Sequence, residues 1–185
     1  MKEEEEMKEG ELLAKSEVSL VIKSYEDIFS SFDPRSYAER AISVDFIAEA
    51  KRAVRDTDGT QLELSILLPA SQRKTDKELI IKKRLREHFR KHADIHEKER
   101  KGIFSQGLYF ILSGIIFMFV ASYLLLNYTG RNLWGEFLIV LLEPGGWFLL
   151  WEGMDLIVFK SKEIKPDLEF YRKMVKADIT FSAYS

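Results

Sequence analysis

The most prominent feature of the hydrophobic pattern is a pair of long apolar runs separated by the polar segment NYTGRN. The first run, residues 103–126, has no charged residue over 24 positions, enough to cross roughly 30 Å of hydrocarbon at about 1.5 Å per helical residue. The second run, residues 133–159, has a similar length but contains four acids: Glu136, Glu143, Glu152 and Asp155. The pattern predicts two transmembrane helices that form a hairpin.

A proline and two glycines lie near the middle of the second run, at Pro144, Gly145 and Gly146. Because proline removes a main-chain hydrogen bond and clashes with the preceding turn, we predict that the second helix is interrupted there. Freed main-chain groups and a carboxyl at Glu143 need polar partners in lipid, so residues 143–146 are candidates for an ion or proton pathway. In the alternative, the break only serves packing, and Glu143 is protonated or hydrogen-bonded to the neighbouring helix.

Small residues recur in the first run at Gly107, Gly114 and Ala121. Small residues at a spacing of seven allow two helices to approach closely in lipid, where packing drives association. The partner of this seam is either the second transmembrane helix or the same helix of another subunit.

Outside the apolar runs, alternating apolar and polar positions predict three strands, in EVSLVI (17–22), QLELSILLP (61–69) and ADITFSAY (177–184). Ser43 is suited to cap a helix whose apolar face carries Phe46, Ile47, Ala50 and Val54. The expected fold class is therefore an α+β integral membrane protein, with a three-stranded cytosolic domain assembled from both sides of the hairpin.

A long helix is predicted to connect the domain to the membrane. Thr75 and Glu78 match a capping box, and no proline interrupts the chain from there to residue 126, so this neck helix continues directly into the first transmembrane helix. After the second run, Pro166 is expected to start a new helix.

The charge distribution and the composition predict how the chain is oriented in the membrane. Residues 1–16 form a predicted acidic, disordered tail, followed by a cytosolic domain and neck at 17–101 and 160–185. Residues 73–101 hold twelve Lys or Arg against six Asp or Glu, whereas the inter-run segment has only Arg131. The positive-inside rule predicts a plasma (inner) membrane protein with both termini cytoplasmic. The chain has no cysteine, which excludes disulfides and thiolate chemistry.

The histidines His88, His92 and His96 follow one another at intervals of four on the predicted neck helix. A pair at that spacing can chelate a divalent transition metal, but three on one helix cannot reach a single ion, so a site would need a carboxylate or a second subunit. The competing interpretation is a polar seam on an amphipathic helix, and no other cofactor is indicated.

Basic residues beside the two runs are candidates for contact with anionic lipid headgroups: Lys98, Arg100, Lys101, Lys160 and Lys162. Nucleic acid is not an expected partner, because these charges adjoin the membrane and alternate with acids. Phosphate loops, catalytic triads and dinucleotide fingerprints are not found. Asp33 and Arg35 follow the first strand, where α/β sheets often bind ligands, although a capped turn is the simpler interpretation and the one that the sequence favours.

The segment GWFLLWEGMDLIVF, residues 146–159, has a glycine-tryptophan step followed by a second tryptophan and an acid. It resembles the second span of uncharacterised small two-span prokaryotic membrane proteins, from which Pro144 is a departure. The resemblance implies a two-span architecture and no catalytic residue.

These patterns together predict a non-enzymatic, homo-oligomeric membrane scaffold or sensor protein with a cytosolic domain. A multimeric ion channel or transport component that uses the broken second span is the first alternative. A membrane-anchored enzyme or ligand-binding regulator is the second.

Overall fold

The computed structural model describes residues 15–55, 61–127 and 133–184. The described chain is mostly helical, with a small parallel sheet. Its strands are β1 (Lys15–Val21), β2 (Gln61–Pro69) and β3 (Asp178–Tyr184). Its α-helices are α1 (Val44–Arg55), α2 (Thr75–Asn127), α3 (Leu133–Asp155) and α4 (Ser161–Lys176). A π-helical turn (Leu156–Lys160) joins α3 to α4, and short 3₁₀ turns occupy Tyr25–Ile28 and Ala70–Gln72.

The chain divides into two compact units. The α/β unit comprises the described residues up to Asp94 and from Leu168 onward, and the hairpin unit is Ile95–Asp167. Two helical stretches, Thr75–Asn127 and Leu133–Lys176, are long and apolar enough to cross a membrane. The predicted acidic tail lies outside the described residues except for Lys15 and Ser16, which already belong to β1.

The three predicted strands are confirmed, and they form a parallel sheet with β2 in the centre. The register pairs Leu64 with Val18 on one side and with Ile179 on the other. Parallel neighbours need a crossover connection, which α1 supplies between β1 and β2. The connection from β2 to β3 contains the whole hairpin unit, so residues on both sides of it complete one sheet.

One continuous core holds the α/β unit together. Alternate residues of β2 are buried, and they pack with buried residues of β1, β3 and three helices. Each fully buried aliphatic or aromatic side chain contributes about 1.5–3 kcal/mol relative to exposure. The α-helical members of this core are Phe46, Ala50 and Val54 of α1, Ile81, Leu85, Phe89 and Ala93 of α2, and Phe170, Tyr171 and Met174 of α4.

The long neck helix is confirmed, because α2 runs without a break over 53 residues. The predicted interruption at Pro144–Gly146 is wrong, since α3 remains helical through Pro144. A proline removes only one hydrogen bond from the ladder, and its φ near −65° suits a helix. The helix predicted after the second run is confirmed, but it starts at Ser161, and Pro166 lies inside it rather than at its start. The irregular segment is instead the π-helical turn at Leu156–Lys160.

Candidate functional site

Two glycine pairs form the contact between α2 and α3 in the hairpin unit. A Cβ atom built on Gly114 would lie 2.6 Å from the carbonyl oxygen of Gly146, and one built on Gly153 would lie 2.6 Å from that of Gly107. Real Cβ atoms do not approach this closely, so no larger residue fits at these positions without moving a backbone. The helices are antiparallel, because Gly107 meets Gly153 while the later Gly114 meets the earlier Gly146.

This geometry decides between the two partners considered for the small-residue seam. Gly107 and Gly114 contact the second apolar helix of the same chain, and Ala121 is also buried. The seam is therefore occupied within the hairpin unit. Gly146 and Gly153 were not recognised as its counterparts from the sequence. Their spacing of seven, which matches that of Gly107 and Gly114, is the signal that could have identified them.

Large apolar side chains of the hairpin unit point away from the seam. Phe119, Leu126 and Trp134 are 73%, 84% and 73% exposed, and many of their neighbours on α2 and α3 are exposed as well. The core helix of a water-soluble domain has the opposite arrangement, with its large apolar residues inside. The hairpin unit thus presents an extended apolar surface with small residues between its helices.

Within one chain, the four predicted pathway residues lie on different sides of α3. Gly146 is buried in the seam, whereas Glu143 and Pro144 are exposed on other sides of α3, and a Cβ built on Gly145 would have its nearest neighbour in Phe117 at 3.9 Å. Glu143 therefore does not pack into the α2–α3 contact. If α3 crosses a membrane, a charged residue at its centre costs about 2.5–3.5 kcal/mol on insertion scales.

An apolar groove lies next to Glu143 on the outside of α3. Pro144, Trp147, Phe148 and Trp151 line this shallow, open groove of about 380 Å³, and the two indole rings meet edge to face with centroids 5.8 Å apart. Residues four apart share a helix face, so Glu143, Trp147 and Trp151 follow one another along one side. This side combines a carboxyl group with a shaped aromatic surface.

Within the described part of one chain, the histidines are not joined by a carboxylate into a three-ligand metal site. Among the described residues, no three His, Cys, Asp or Glu side chains are grouped so that they could hold one ion. His88 and His92 instead pack together with ring centroids 4.3 Å apart, and His92 stacks on Tyr171 at 5.2 Å. The third, His96, belongs to the hairpin unit, where its Nδ1 lies 3.3 Å from Glu99.

The environment of His88 favours a neutral ring. Burial, and then the nearby positive charges of His92, Arg84 and Lys91, lower the pKa of His88 to about 4. Its Nε2 atom is buried and has no hydrogen-bond partner among the described residues, so a positively charged ring would be poorly solvated there. His88 is thus a packing residue of the α/β unit.

Glu78 is the most deeply buried charged residue described in the α/β unit, at 6% exposure. The predicted helix start is confirmed at Thr75, but the Glu78 carboxylate does not complete the predicted capping box. It accepts hydrogen bonds from Arg73 Nε at 2.9 Å and from the Tyr25 hydroxyl at 3.1 Å. The Tyr25 oxygen in turn accepts from the Lys74 amide at 2.8 Å. Glu78 therefore joins the start of α2 to the loop after β1.

The loop that was a candidate ligand site is closed by its own side chains. Asp33 forms an ion pair with Arg35 at 2.7 Å and accepts a hydrogen bond from the Ala41 amide at 2.8 Å. These contacts hold the pKa of Asp33 well below its usual range, with the Arg35 hydrogen bond as the largest cause. Asp33 and Arg35 thus form a capped turn, as the simpler interpretation of the sequence proposed.

A second polar cluster fixes the other side of this loop. Glu26 accepts hydrogen bonds from the Tyr37 hydroxyl and from Arg40, which lowers the pKa of Glu26 and raises that of Tyr37 to about 12. The Lys77 ammonium lies 5.3 Å from the centroid of the Tyr37 ring. These contacts hold the loop in place and need no ligand.

Basic side chains are exposed on both units. In the hairpin unit, the candidate headgroup residues are all exposed: Lys98, Arg100, Lys101, Lys160 and Lys162. In the α/β unit, Lys82, Lys83, Arg86 and Arg90 line a groove of about 390 Å³. Arg86 pairs with Asp178 at 3.5 Å, and Lys83 lies 4.0 Å from Glu87, so part of this charge is balanced within the unit.

Comparison with protein-family models, with curated proteins and with solved structures finds no significant similarity to this chain.

Proposed function

We propose that this chain is an integral membrane protein whose hairpin, residues 103–126 and 133–159, anchors a cytosolic α/β unit. The observation that carries the proposal is the exposure of large apolar side chains on α2 and α3, with glycines between the helices. In water, such a surface is unfavourable by about 25 cal/mol per Å² of apolar area, whereas hydrocarbon solvates it. Close glycine contacts are also a common means of helix association in lipid.

Charge orients the hairpin in the plasma (inner) membrane. The basic residues Lys98, Arg100, Lys101, Lys160 and Lys162 adjoin the cytoplasmic ends of the apolar runs, and they bind anionic lipid headgroups. Both termini then lie in the cytoplasm. The segment between the runs, with Arg131 as its only basic residue, lies outside.

The role is that of a non-enzymatic scaffold or sensor that assembles as a homo-oligomer. Two observations support this role over catalysis. The charged groups around the loop after β1, including Glu26, Asp33 and Glu78, have partners within the fold. The exposed carboxyl of Glu143 and its aromatic groove give another chain a surface to bind.

The alternative function is a multimeric ion channel or transport component. It is favoured by one observation, the exposure of Glu143 near the middle of α3, because several chains around an axis would bring several carboxyls together. A membrane-anchored enzyme or ligand-binding regulator ranks third, since Asp33 and Arg35 already neutralise each other.

Membrane insertion is tested with single-cysteine variants, because the chain contains no cysteine of its own. In sealed cells, a membrane-impermeant maleimide is expected to label Asn127→Cys, and Lys176→Cys only after lysis. The wild-type chain should stay in the membrane pellet after alkaline carbonate. Release into the supernatant, or equal labelling of both variants, would contradict the proposal.

Assembly is tested by the mass of the chain in detergent. An oligomer supports the scaffold, and a strict monomer contradicts both the scaffold and the channel. With oligomers reconstituted in vesicles, ion flux that Glu143→Gln abolishes would favour the channel. If reconstituted wild-type oligomers showed no ion flux, the channel alternative would be contradicted.

A further inference from the structure

We infer that the side of α3 that carries Glu143 binds the same side of a second copy of this chain, with the two Glu143 carboxyls hydrogen-bonded to each other. The inference rests on the proposed membrane insertion and names the contact through which the chain assembles.

The position of Glu143 along α3 determines its depth in the membrane. Glu143 is ten residues beyond Leu133, the first residue of the 23-residue helix α3, which corresponds to about 15 Å of helix. That distance is half of a hydrocarbon core of roughly 30 Å. Glu143 therefore lies at the middle of the bilayer, where no water and no headgroup solvates a carboxyl.

The Glu143 side chain has no oppositely charged residue near it in the two runs. Neither residues 103–127 nor residues 133–159 contain a Lys, Arg or His, so the hairpin holds no opposite charge for Glu143. The side chain is exposed and lies outside the glycine contact between α2 and α3. The two runs therefore supply no ion-pair partner for Glu143, and another chain can bring a polar group to that depth.

Two-fold symmetry between two copies brings identical residues together. A two-fold axis along the membrane normal places every residue at the same depth as its own copy, so a carboxyl near the axis meets a carboxyl. One group can donate its proton in a hydrogen bond to an oxygen of the other, which satisfies both. A second copy is thus the one partner that this chain itself guarantees.

The shape of the surface supports the same arrangement. Val140 is 69% exposed, and Trp147 and Trp151 follow Glu143 along the helix, next to the groove of about 380 Å³. The aromatic side chains of one copy can pack into the groove of the other. This surface is separate from the glycine seam, which the hairpin already fills.

The test uses oxidative cross-linking of single cysteines in native membranes. Val140 lies three residues before Glu143 and shares its side of the helix, whereas Leu138, two residues from Val140, points in a nearly opposite direction. Both positions are exposed, so Leu138→Cys is the matched control. We expect Val140→Cys to form disulfide-linked dimers and Leu138→Cys to form at least fivefold fewer.

A second variant tests the carboxyl itself. In the Val140→Cys background, Glu143→Leu should reduce the cross-linked fraction at least fivefold, and Glu143→Gln should retain it because two amides can also hydrogen-bond. Equal cross-linking of Val140→Cys and Leu138→Cys, or no loss with Glu143→Leu, would overturn the inference while leaving the membrane anchor intact. If alkaline carbonate released the chain from membranes, both the membrane anchor and this inference would be contradicted. A lipid contact on this side predicts no cross-linking from Val140→Cys.

Discussion

Gly107 and Gly153 face each other across the hairpin, and each lies where a side chain of the other would have to be. A Cβ on Gly153 would lie 2.6 Å from the Gly107 carbonyl oxygen, and a Cβ on Gly107 would lie 2.9 Å from that of Gly153. The distance between the two backbones is therefore set by the absence of side chains. Together with Gly114 and Gly146, this pair determines how closely α2 and α3 approach.

The glycine contact predicts a clear difference between two Gly→Ala variants of α2. Gly107→Ala should lower the free energy of unfolding by about 1–3 kcal/mol, the usual effect of overpacking, because the new methyl group meets the Gly153 backbone. Gly102→Ala has nothing within 4 Å of its new Cβ and should stabilise the helix by up to about 1 kcal/mol. Denaturation of the purified chain in detergent micelles measures both, and equal effects would contradict the seam.

Glu78 predicts a pH-dependent contribution to the stability of the α/β unit. The Arg73 hydrogen bond holds the pKa of Glu78 below its ordinary value of 4.5. The ionised carboxylate therefore stabilises the fold above that pH, and the contribution is lost as pH falls through the lower folded value. Glu78→Gln should cost about 2 kcal/mol at neutral pH, as expected for a buried hydrogen bond to a charged group.

The difference in unfolding free energy between wild type and Glu78→Gln should narrow as the pH falls below 4.5. Glu87→Gln is the matched control, since Glu87 is an exposed glutamate of the same helix, 4.0 Å from Lys83, and should change stability by less than about 0.5 kcal/mol. A Glu78→Gln effect that stays constant from neutral to acidic pH would rule out the ionised pair as its source.

His88 predicts a second pH dependence of stability. Here the neutral form rather than the ionised form stabilises the fold, and stability again falls as the pH falls. Burial lowers the pKa of His88 from 6.5 to about 4, so the unfolded chain binds the proton first as the pH falls. The contribution of neutral His88 to the stability of the fold is complete above pH 6.5. It is lost progressively as the pH falls from 6.5 to about 4. His88→Phe, which keeps an aromatic ring against His92 and Tyr171, should flatten the loss of stability between those pH values. Unfolding curves with the same slope in both proteins would refute this assignment.

The basic residues at the ends of the apolar runs predict the orientation of the hairpin. Replacing Lys98, Arg100 and Lys101 with Gln should increase the fraction of molecules inserted in the opposite direction, because charges near the ends of the spans set topology. Labelling of Asn127→Cys from outside reports this fraction. The matched control replaces Lys23, Arg52 and Arg55, which are exposed and far from either run in sequence. A change of orientation in the control alone would contradict the argument.

The local elements of this fold follow from periodicity. Alternation at Leu62, Leu64, Ile66 and Leu68 identified β2, because a strand turns every second side chain toward the core. The absence of proline and a start at Thr75 identified the long helix α2. The length of the two apolar runs identified helices that could cross a membrane, since length and composition are properties of a single segment.

The tertiary structure decided what each element meets. The parallel order of β1, β2 and β3, the pairing of Gly107 and Gly114 with Gly153 and Gly146, and the contact of Glu78 with Arg73 and Tyr25 join residues distant in sequence or on different elements. Pro144 shows the same limit, because a proline signals the loss of one hydrogen bond but not whether the rest of the helix holds. A pattern reports the faces of an element, whereas partners depend on distances in space.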